Sequence, residues 1–316
     1  MGVGAGTVRA VPSVLQPVAP QAAQLPPHVR TAFGVKDVTP RPVLWAGRPA
    51  WRCGEVLIRP VPDNVVAAWS AGVLDGLHVE GVRVARPVRT SDGRWIVAGW
   101  AACRYVAGTL EPRYDAVLAA GAALHEATAG VERPRLLDSR DDLLVRSAAG
   151  AFGERKLALE PAVGGTLYAQ LAAYRTPIRL APQVVHPELF GSVLFGPDDV
   201  PVVVDLTPCW RPKEWAAAVV VVDALAWGGA DVGLLHRWSH LDEWPQVVLR
   251  AVLHRLALHA QHPDASPRTL AGLERAAVTP TVNPASGGGA VAVVTVSHTV
   301  VRPGPRRSGP WERSRR

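Results

Sequence analysis

Three residues have the side chains of an acid–base and metal site: His186, Glu188 and Asp205. Two apolar stretches, Ser192–Phe195 and Val200–Leu206, follow the first two residues, and a Gly-Pro-Asp-Asp turn would join them into a hairpin. An acid at the end of an apolar strand is costly to bury alone, so Asp205 predicts a site that holds a cation or a donor. The same features also fit a plain hairpin in which Asp205 only caps the strand.

The order of these residues resembles the catalytic core of the aminoglycoside phosphotransferase and choline kinase-like family. In that family the pattern is H-G-D-x-x-x-x-N, an apolar strand, and a second strand ending in I-D. The resemblance implies phosphoryl transfer, in which one carboxylate orients the acceptor hydroxyl while an Asn and a second Asp hold magnesium on the nucleotide phosphates. It puts His186 on the family's His, Glu188 on the catalytic Asp and Asp205 on the metal-binding Asp.

The sequence departs from this pattern in ways that indicate impaired catalysis. Pro187 replaces a Gly and fixes the backbone before Glu188, which is one methylene longer than Asp. The position of the Asn falls on Val193, or on Ser192 if the register shifts by one. Valine cannot bind magnesium and a serine hydroxyl is a weak ligand, so the candidate metal ligands are Asp205 and Ser192.

A candidate nucleotide contact lies in the N-terminal part. The stretch Glu55–Pro60 alternates like a strand, and the resemblance puts Arg59 where the family has a phosphate-binding Lys. A solvated Arg at a strand end is the alternative. Gly47 and Gly54 are few for a phosphate-covering loop, so the implied cofactor, ATP or GTP with Mg²⁺, has weak support from this region.

The elements that must position these residues form an ordered series. They predict an α+β, two-lobed protein kinase-like fold, with a small β-rich N-lobe over 28–107 and a larger helical C-lobe over 108–278 that carries the catalytic-type loop 184–207. The predicted elements are a helix over Val65–Leu77 capped by Asp63 or Asn64, a hairpin of Val82–Val88 with Arg94–Trp100, an amphipathic helix over Tyr114–Thr128, a buried helix over Trp215–Trp227, and a helix over Trp244–Gln261.

Composition and charge restrict the partners. The net charge of +7 resides in the ends of the chain, because residues 1–30 contribute two Arg and residues 302–316 contribute six Arg against one Glu. We therefore expect no specific nucleic-acid partner, and disordered segments over 1–27 and 279–316. The three Cys are isolated, which suits a cytoplasmic protein, and no apolar stretch is long enough to span a membrane.

Three hypotheses about function follow. Stretches such as WRCGEVLIRPV, LHEAT and VVVDALAWG resemble an actinobacterial group related to the aminoglycoside phosphotransferases, which implies a fold but no substrate. The first hypothesis is a kinase-like protein with impaired transfer, a pseudokinase, that keeps a nucleotide or ligand cleft. The second is an active ATP- and magnesium-dependent phosphotransferase acting on an alcohol group of an unknown small molecule. The third is a non-enzymatic interaction protein.

Overall fold

The structure, a computed structural model, describes residues 24–278. The expected disordered segments therefore lie outside the described residues, except for residues 24–27. Among these, Leu25 is buried in a small cluster with Val29 and Phe33, so ordered packing begins slightly before the predicted boundary. None of the helices in this range is long and apolar enough to cross a membrane.

The fold is the predicted α+β arrangement of a β-rich lobe followed by a helical lobe. Its strands over the described range are β1 (Arg41–Trp45), β2 (Arg48–Cys53), β3 (Val56–Pro60), β4 (Arg83–Val84), β5 (Pro87–Val88), β6 (Ile96–Val97), β7 (Trp100–Arg104), β8 (Gln183–Val185), β9 (Val193–Phe195), β10 (Pro201–Val203) and β11 (Cys209–Arg211). Its helices there are α1 (Pro27–Ala32), α2 (Asn64–Gly76), α3 (Tyr114–Ala127), α4 (Leu143–Phe152), α5 (Gly165–Ala172), α6 (Lys213–Asp223), α7 (Gly233–Arg237), α8 (Trp244–Gln261) and α9 (Pro267–Val278).

A six-stranded antiparallel sheet forms the N-terminal lobe, in the order β1-β2-β3-β7-β5 with β6 also on β7. Helix α2 lies beside this sheet and begins as the sequence predicted. Its N-cap Asp63 accepts hydrogen bonds from the backbone N–H groups of Val65 and Val66 at 2.8 and 3.0 Å.

The predicted hairpin of Val82–Val88 with Arg94–Trp100 is right in part. Strand β5 pairs with β7, which contains Trp100 and the residues that follow it, but β4 pairs in parallel with β10 of the second lobe. Strand β6 also pairs with β7, across a two-residue turn at Ala98 and Gly99 whose φ angles are 48° and 81°. The turn signal around residue 92 does mark a turn, in which the backbone N–H of Thr90 donates to the carbonyl of Arg94 at 2.8 Å.

Two apolar helices make the core of the C-terminal lobe. Helix α8 has the predicted bounds and is buried along most of its length, and α6 packs against it before continuing into a π-helical turn over Ala224–Gly228. Apolar residues all round a helix indicate a central position, as the sequence predicted for this helix. The two short strand pairs β8–β11 and β9–β10 lie against this core and carry the candidate site.

The two lobes meet along the segment that follows β7. Gly108 in this segment lies so close to β9 that a Cβ would be 2.9 Å from the carbonyl oxygen of Phe195. The backbones of Thr109 and Phe195 pair as an isolated bridge. The lobe connection is therefore held against the strand that precedes Asp205.

Candidate functional site

His186 and Asp205 come together at the ends of β8 and β10. The Nδ1 atom of His186 accepts a hydrogen bond from the backbone N–H of Thr207 at 3.3 Å, so Nε2 carries the proton and donates it to Oδ1 of Asp205 at 3.1 Å. The backbone N–H of His186 donates to Nε2 of the buried His125 at 3.0 Å. His186 is thus a positioning residue for Asp205, and the buried His125 holds the backbone of His186 in place.

Arg48, at the start of β2, occupies the other oxygen of Asp205. Its Nη1 lies 2.6 Å from Oδ2, and the side chains are 21% and 9% exposed, so little water screens the pair. Burial alone would raise the pKa of Asp205, but the Arg48 guanidinium and the hydrogen bond from His186 outweigh it and hold that pKa well below its usual range. Asp205 is therefore a carboxylate with both oxygens engaged.

Glu188 is paired as well, to a buried Arg that the sequence analysis did not identify. Nη1 of Arg255 in α8 donates to Oε1 of Glu188 at 2.7 Å, and its Nε and Nη2 donate to the two oxygens of Asp223 at 2.7 and 2.5 Å. Burial disfavours a charged guanidinium, but the carboxylates of Asp223 and Glu188 outweigh burial and raise the pKa of Arg255. Asp223 is accordingly a buried acid with both of its oxygens bound to Arg255.

The residues present do not fit a magnesium ion. One oxygen of Asp205 is already bound to Arg48 and the other to His186. The position that the resemblance gives to the metal-binding Asn holds Val193, which is apolar and buried. Ser192 is fully buried, and its hydroxyl has no hydrogen-bond partner among the described residues, but one neutral hydroxyl cannot complete the near-octahedral oxygen shell that magnesium demands. Within residues 24–278 no group of three or more His, Cys, Asp or Glu side chains could hold a metal.

The indole of Trp45 fills the space between the lobes beneath the first hairpin. Its Nε1–H donates to the carbonyl of Val106 in the lobe connection at 3.1 Å, and the residue is only 4% exposed. Trp45 belongs to a buried cluster that combines Leu57 and Cys103 of the sheet with Leu194 of β9. An aromatic ring of the chain itself therefore closes this part of the cleft.

The turn that joins β1 to β2 brings Trp45 and Arg48 to their sites. Ala46 and Gly47 have φ angles of 49° and 71°, the geometry of a two-residue hairpin turn with left-handed backbone at both positions. This turn is too short to form a loop of several N–H groups around a phosphate. The two residues that flank it instead close the cleft with an indole and a guanidinium.

Arg59 lines a cavity of which Trp45 is not a lining residue. It lies on β3, shares this cavity of about 400 Å³ with Asp205 and Glu188, and makes no hydrogen bond or ion pair within the described part of the chain. Its charge nevertheless contributes to the lowered pKa of Asp205, which locates it near that carboxylate. Of the predicted site residues, the structure thus brings Arg59, Glu188 and Asp205 to one cavity.

Sequence reasoning missed Trp45, Arg48 and Arg255. Two of them had no local signal, because Arg48 lies 157 positions from Asp205 and the ring of Trp45 finds its place only when the lobes assemble. Arg255 did have a local signal, because it is a charged residue in the middle of the apolar helix α8. Asp223 is likewise a charged residue in the apolar helix α6. Charged residues are almost never fully buried unless paired, so the two could have been matched from sequence.

The buried His125 gives the protein a measurable pH dependence. Burial lowers its pKa to about 3, whereas an unfolded His titrates near about 6.5. The unfolded chain thus takes up a proton that the folded chain refuses, and stability falls as the pH drops from about 6.5 toward 3. The free energy of unfolding, measured with urea, should fall between pH 7 and pH 5 in the native protein. In His125→Gln we expect this fall to be smaller by about 2 kcal/mol. His240→Gln, which changes an exposed ring, should keep the native pH dependence; an unchanged dependence in His125→Gln would contradict this account.

Comparison with known proteins identifies the fold. No protein-family model matches the chain, and no curated protein matches it in sequence. Among solved structures, an aminoglycoside phosphotransferase from Alicyclobacillus acidocaldarius superposes with a TM-score of 0.53 at 17% identity, covering 82% of this chain and 93% of that one. At this identity the likeness concerns the fold alone.

Two further structures are similar at lower scores. A choline/ethanolamine kinase family protein from Mesorhizobium loti gives a TM-score of 0.40 at 16% identity, over 78% of this chain and 98% of that one. A thermostable mutant of the aminoglycoside phosphotransferase APH(4)-Ia gives 0.43 at 11% identity, over 72% and 88%.

Proposed function

Starting from the aminoglycoside phosphotransferase fold, we propose that this chain is a kinase-fold ligand-binding protein that does not transfer phosphate with magnesium. The observation that carries the proposal is the contact between Arg48 and Asp205 at 2.6 Å. Asp205, the carboxylate that the resemblance assigns to the metal, is bound to the guanidinium of Arg48 instead.

Magnitudes support this reading. The contact between Arg48 and Asp205, which is partly exposed on the Arg48 side, is expected to contribute about 1–3 kcal/mol. If magnesium could bind only after the pair opened, the loss of that contact would weaken its apparent affinity by roughly fivefold to a hundredfold.

The other two parts of the implied transfer site are also altered. Oε1 of Glu188 is bound to Arg255 at 2.7 Å, which ties this carboxylate to α8 and restrains it from turning toward an acceptor hydroxyl. The space under the first hairpin, where the resemblance puts the nucleotide, contains the indole of Trp45. Side chains of this chain thus bind the metal-type acid, restrain the base-type acid and occupy the space under the hairpin.

The test is ADP formation from ATP and magnesium, alone and with kanamycin or choline as acceptor. We expect the full chain to give the same rate as Asp205→Asn in every mixture. A magnesium-dependent rate that Asp205→Asn abolishes would contradict the proposal and favour an active phosphotransferase.

The Arg48–Asp205 contact is also expected to stabilise the fold. A double-mutant cycle of Arg48→Gln and Asp205→Asn, measured by urea unfolding at pH 7, should give a coupling energy of about 1–3 kcal/mol. The matched control is the exposed pair Arg83–Asp198, whose atoms are 2.8 Å apart and whose coupling should stay below about 1 kcal/mol. Equal coupling in the two cycles would show that the Arg48 contact is an ordinary surface pair.

The pH dependence of this contact has a definite sign. Because the pKa of folded Asp205 is depressed, its contribution is present above the unfolded value near about 4 and is lost as the pH falls through the folded pKa.

A further inference from the structure

The cavity beside helix α2 has the properties of a small-molecule site. Its volume of about 400 Å³ falls within the range of roughly 300–1,000 Å³ that ligand pockets occupy. One wall is the face of α2 that carries Ala67, Ala71 and Leu74, and the opposite wall includes Ala102 of β7 and Val204. Most of the surface is therefore apolar, and Trp45 is not among the residues that line the cavity.

One cation of this cavity contacts no acid directly. Asp205 is paired with Arg48, Asp142 with Arg140 at 2.7 Å, and Glu188 with Arg255, and the fourth acid of the lining caps α2. Within the described residues Arg59 is the charged side chain of the cavity that has neither an ion pair nor a hydrogen bond. Its nitrogens are not among the buried polar atoms that lack a partner, so water solvates them, and an anion that replaced this water would gain charge-assisted hydrogen bonds from Arg59.

The same arrangement restricts the anion to a single small group. Four carboxylates line the cavity, namely those of Asp63, Asp142, Glu188 and Asp205. Four Arg side chains, Arg48, Arg59, Arg140 and Arg255, balance these acids, so one added carboxylate leaves a single excess negative charge, whereas a nucleotide triphosphate would leave several in a region of low dielectric. One planar carboxylate can instead accept two parallel hydrogen bonds from Arg59.

We propose that this cavity binds an apolar monocarboxylate, with the carboxylate on Arg59 and the hydrocarbon part against α2. This inference rests on the proposed function, since it names the ligand class of a protein that binds rather than transfers. The fit comes from an apolar wall, an unmatched guanidinium and a volume suited to a chain of medium length.

The experiment titrates the full chain with decanoate by calorimetry at pH 7, where the carboxylate is ionised. We expect saturable binding by the native protein, and binding weakened about tenfold to a hundredfold in Arg59→Gln. The matched control is Arg41→Gln, which removes the charge of an exposed strand Arg in β1 and should leave the affinity unchanged. Decanol, which has the same chain without the charge, should bind the native protein and Arg59→Gln about equally.

A second pair of variants tests the location. Ala71→Leu adds three carbons to the cavity wall and should weaken decanoate binding at least about tenfold, whereas Ala68→Leu lies on the same helix outside the cavity and should not. Melting curves establish that each variant folds. No saturable binding, or equal affinity in native protein, Arg59→Gln and Ala71→Leu, overturns the inference. That outcome is separate from the proposed function, which fails only if magnesium-dependent transfer is found.

Discussion

Replacing Trp45 with alanine is expected to lower the free energy of unfolding by about 3–5 kcal/mol. The substitution removes a nearly buried indole from a cluster shared by both lobes and leaves the carbonyl of Val106 without its donor. The loss combines the transfer free energy of the ring with the cavity that remains. Urea unfolding at pH 7 measures it.

The Trp45→Ala cavity also offers a rescue experiment. An apolar cavity that stays dry can take up a molecule of the missing shape, so free indole should restore part of the stability of Trp45→Ala and have no effect on the native protein. Trp95→Ala is the control, because that ring is half-buried at the edge of the sheet against Arg89 and adjoins no lobe interface. A loss below about 1 kcal/mol in Trp45→Ala would show that the indole is not a filler of the cleft.

Replacing Arg255 with methionine should be equally damaging. The side chain is 1% exposed and is the common partner of Asp223 and Glu188, so its removal leaves two acids buried without a cation. Breaking a buried pair in this way costs about 3–5 kcal/mol. Urea unfolding at pH 7 again gives the number.

Two comparisons isolate the cause. Arg237→Met removes an exposed Arg whose pair with Asp115 has a contact of 2.7 Å, and it should cost less than about 1 kcal/mol. Adding Asp223→Asn and Glu188→Gln to Arg255→Met should recover part of the lost stability, because no uncompensated charge then remains. If Arg255→Met were as mild as Arg237→Met, Glu188 would be free of a structural tie.

The sequence analysis predicted the parts of the fold that depend on neighbours in the chain. The cap at Asp63, the length of α8 and the hairpin that precedes Asp205 follow from turn chemistry and from the period of the apolar residues. The contact between His186 and Asp205 was not predicted, because β8 and β10 do not pair with each other: β8 pairs with β11, and β10 pairs with β9 and β4.

The sequence analysis could not identify the side chains that contact the residues of the site. A one-residue or two-residue pattern cannot tell which Arg will meet Asp205, because Arg48 lies in another lobe and reaches it only through the geometry of a hairpin turn. The predicted hairpin after residue 82 was right only in part for a related reason: alternation marks a strand but does not fix its register, and β5 pairs with Ala102 and Cys103 of β7. The side chains that contact the acids of the site could likewise not be predicted from the sequence.

The central claim, that side chains of this chain occupy both the cleft and the metal-binding acid, is tested most directly by melting the full chain with ATP in magnesium and in EDTA. A ligand at about 100 times its dissociation constant adds roughly 2.7 kcal/mol, which a melting curve resolves. The account predicts the same melting temperature with ATP in magnesium as in EDTA, for the native protein and for Asp205→Asn. An increase that requires magnesium and disappears in Asp205→Asn would contradict it.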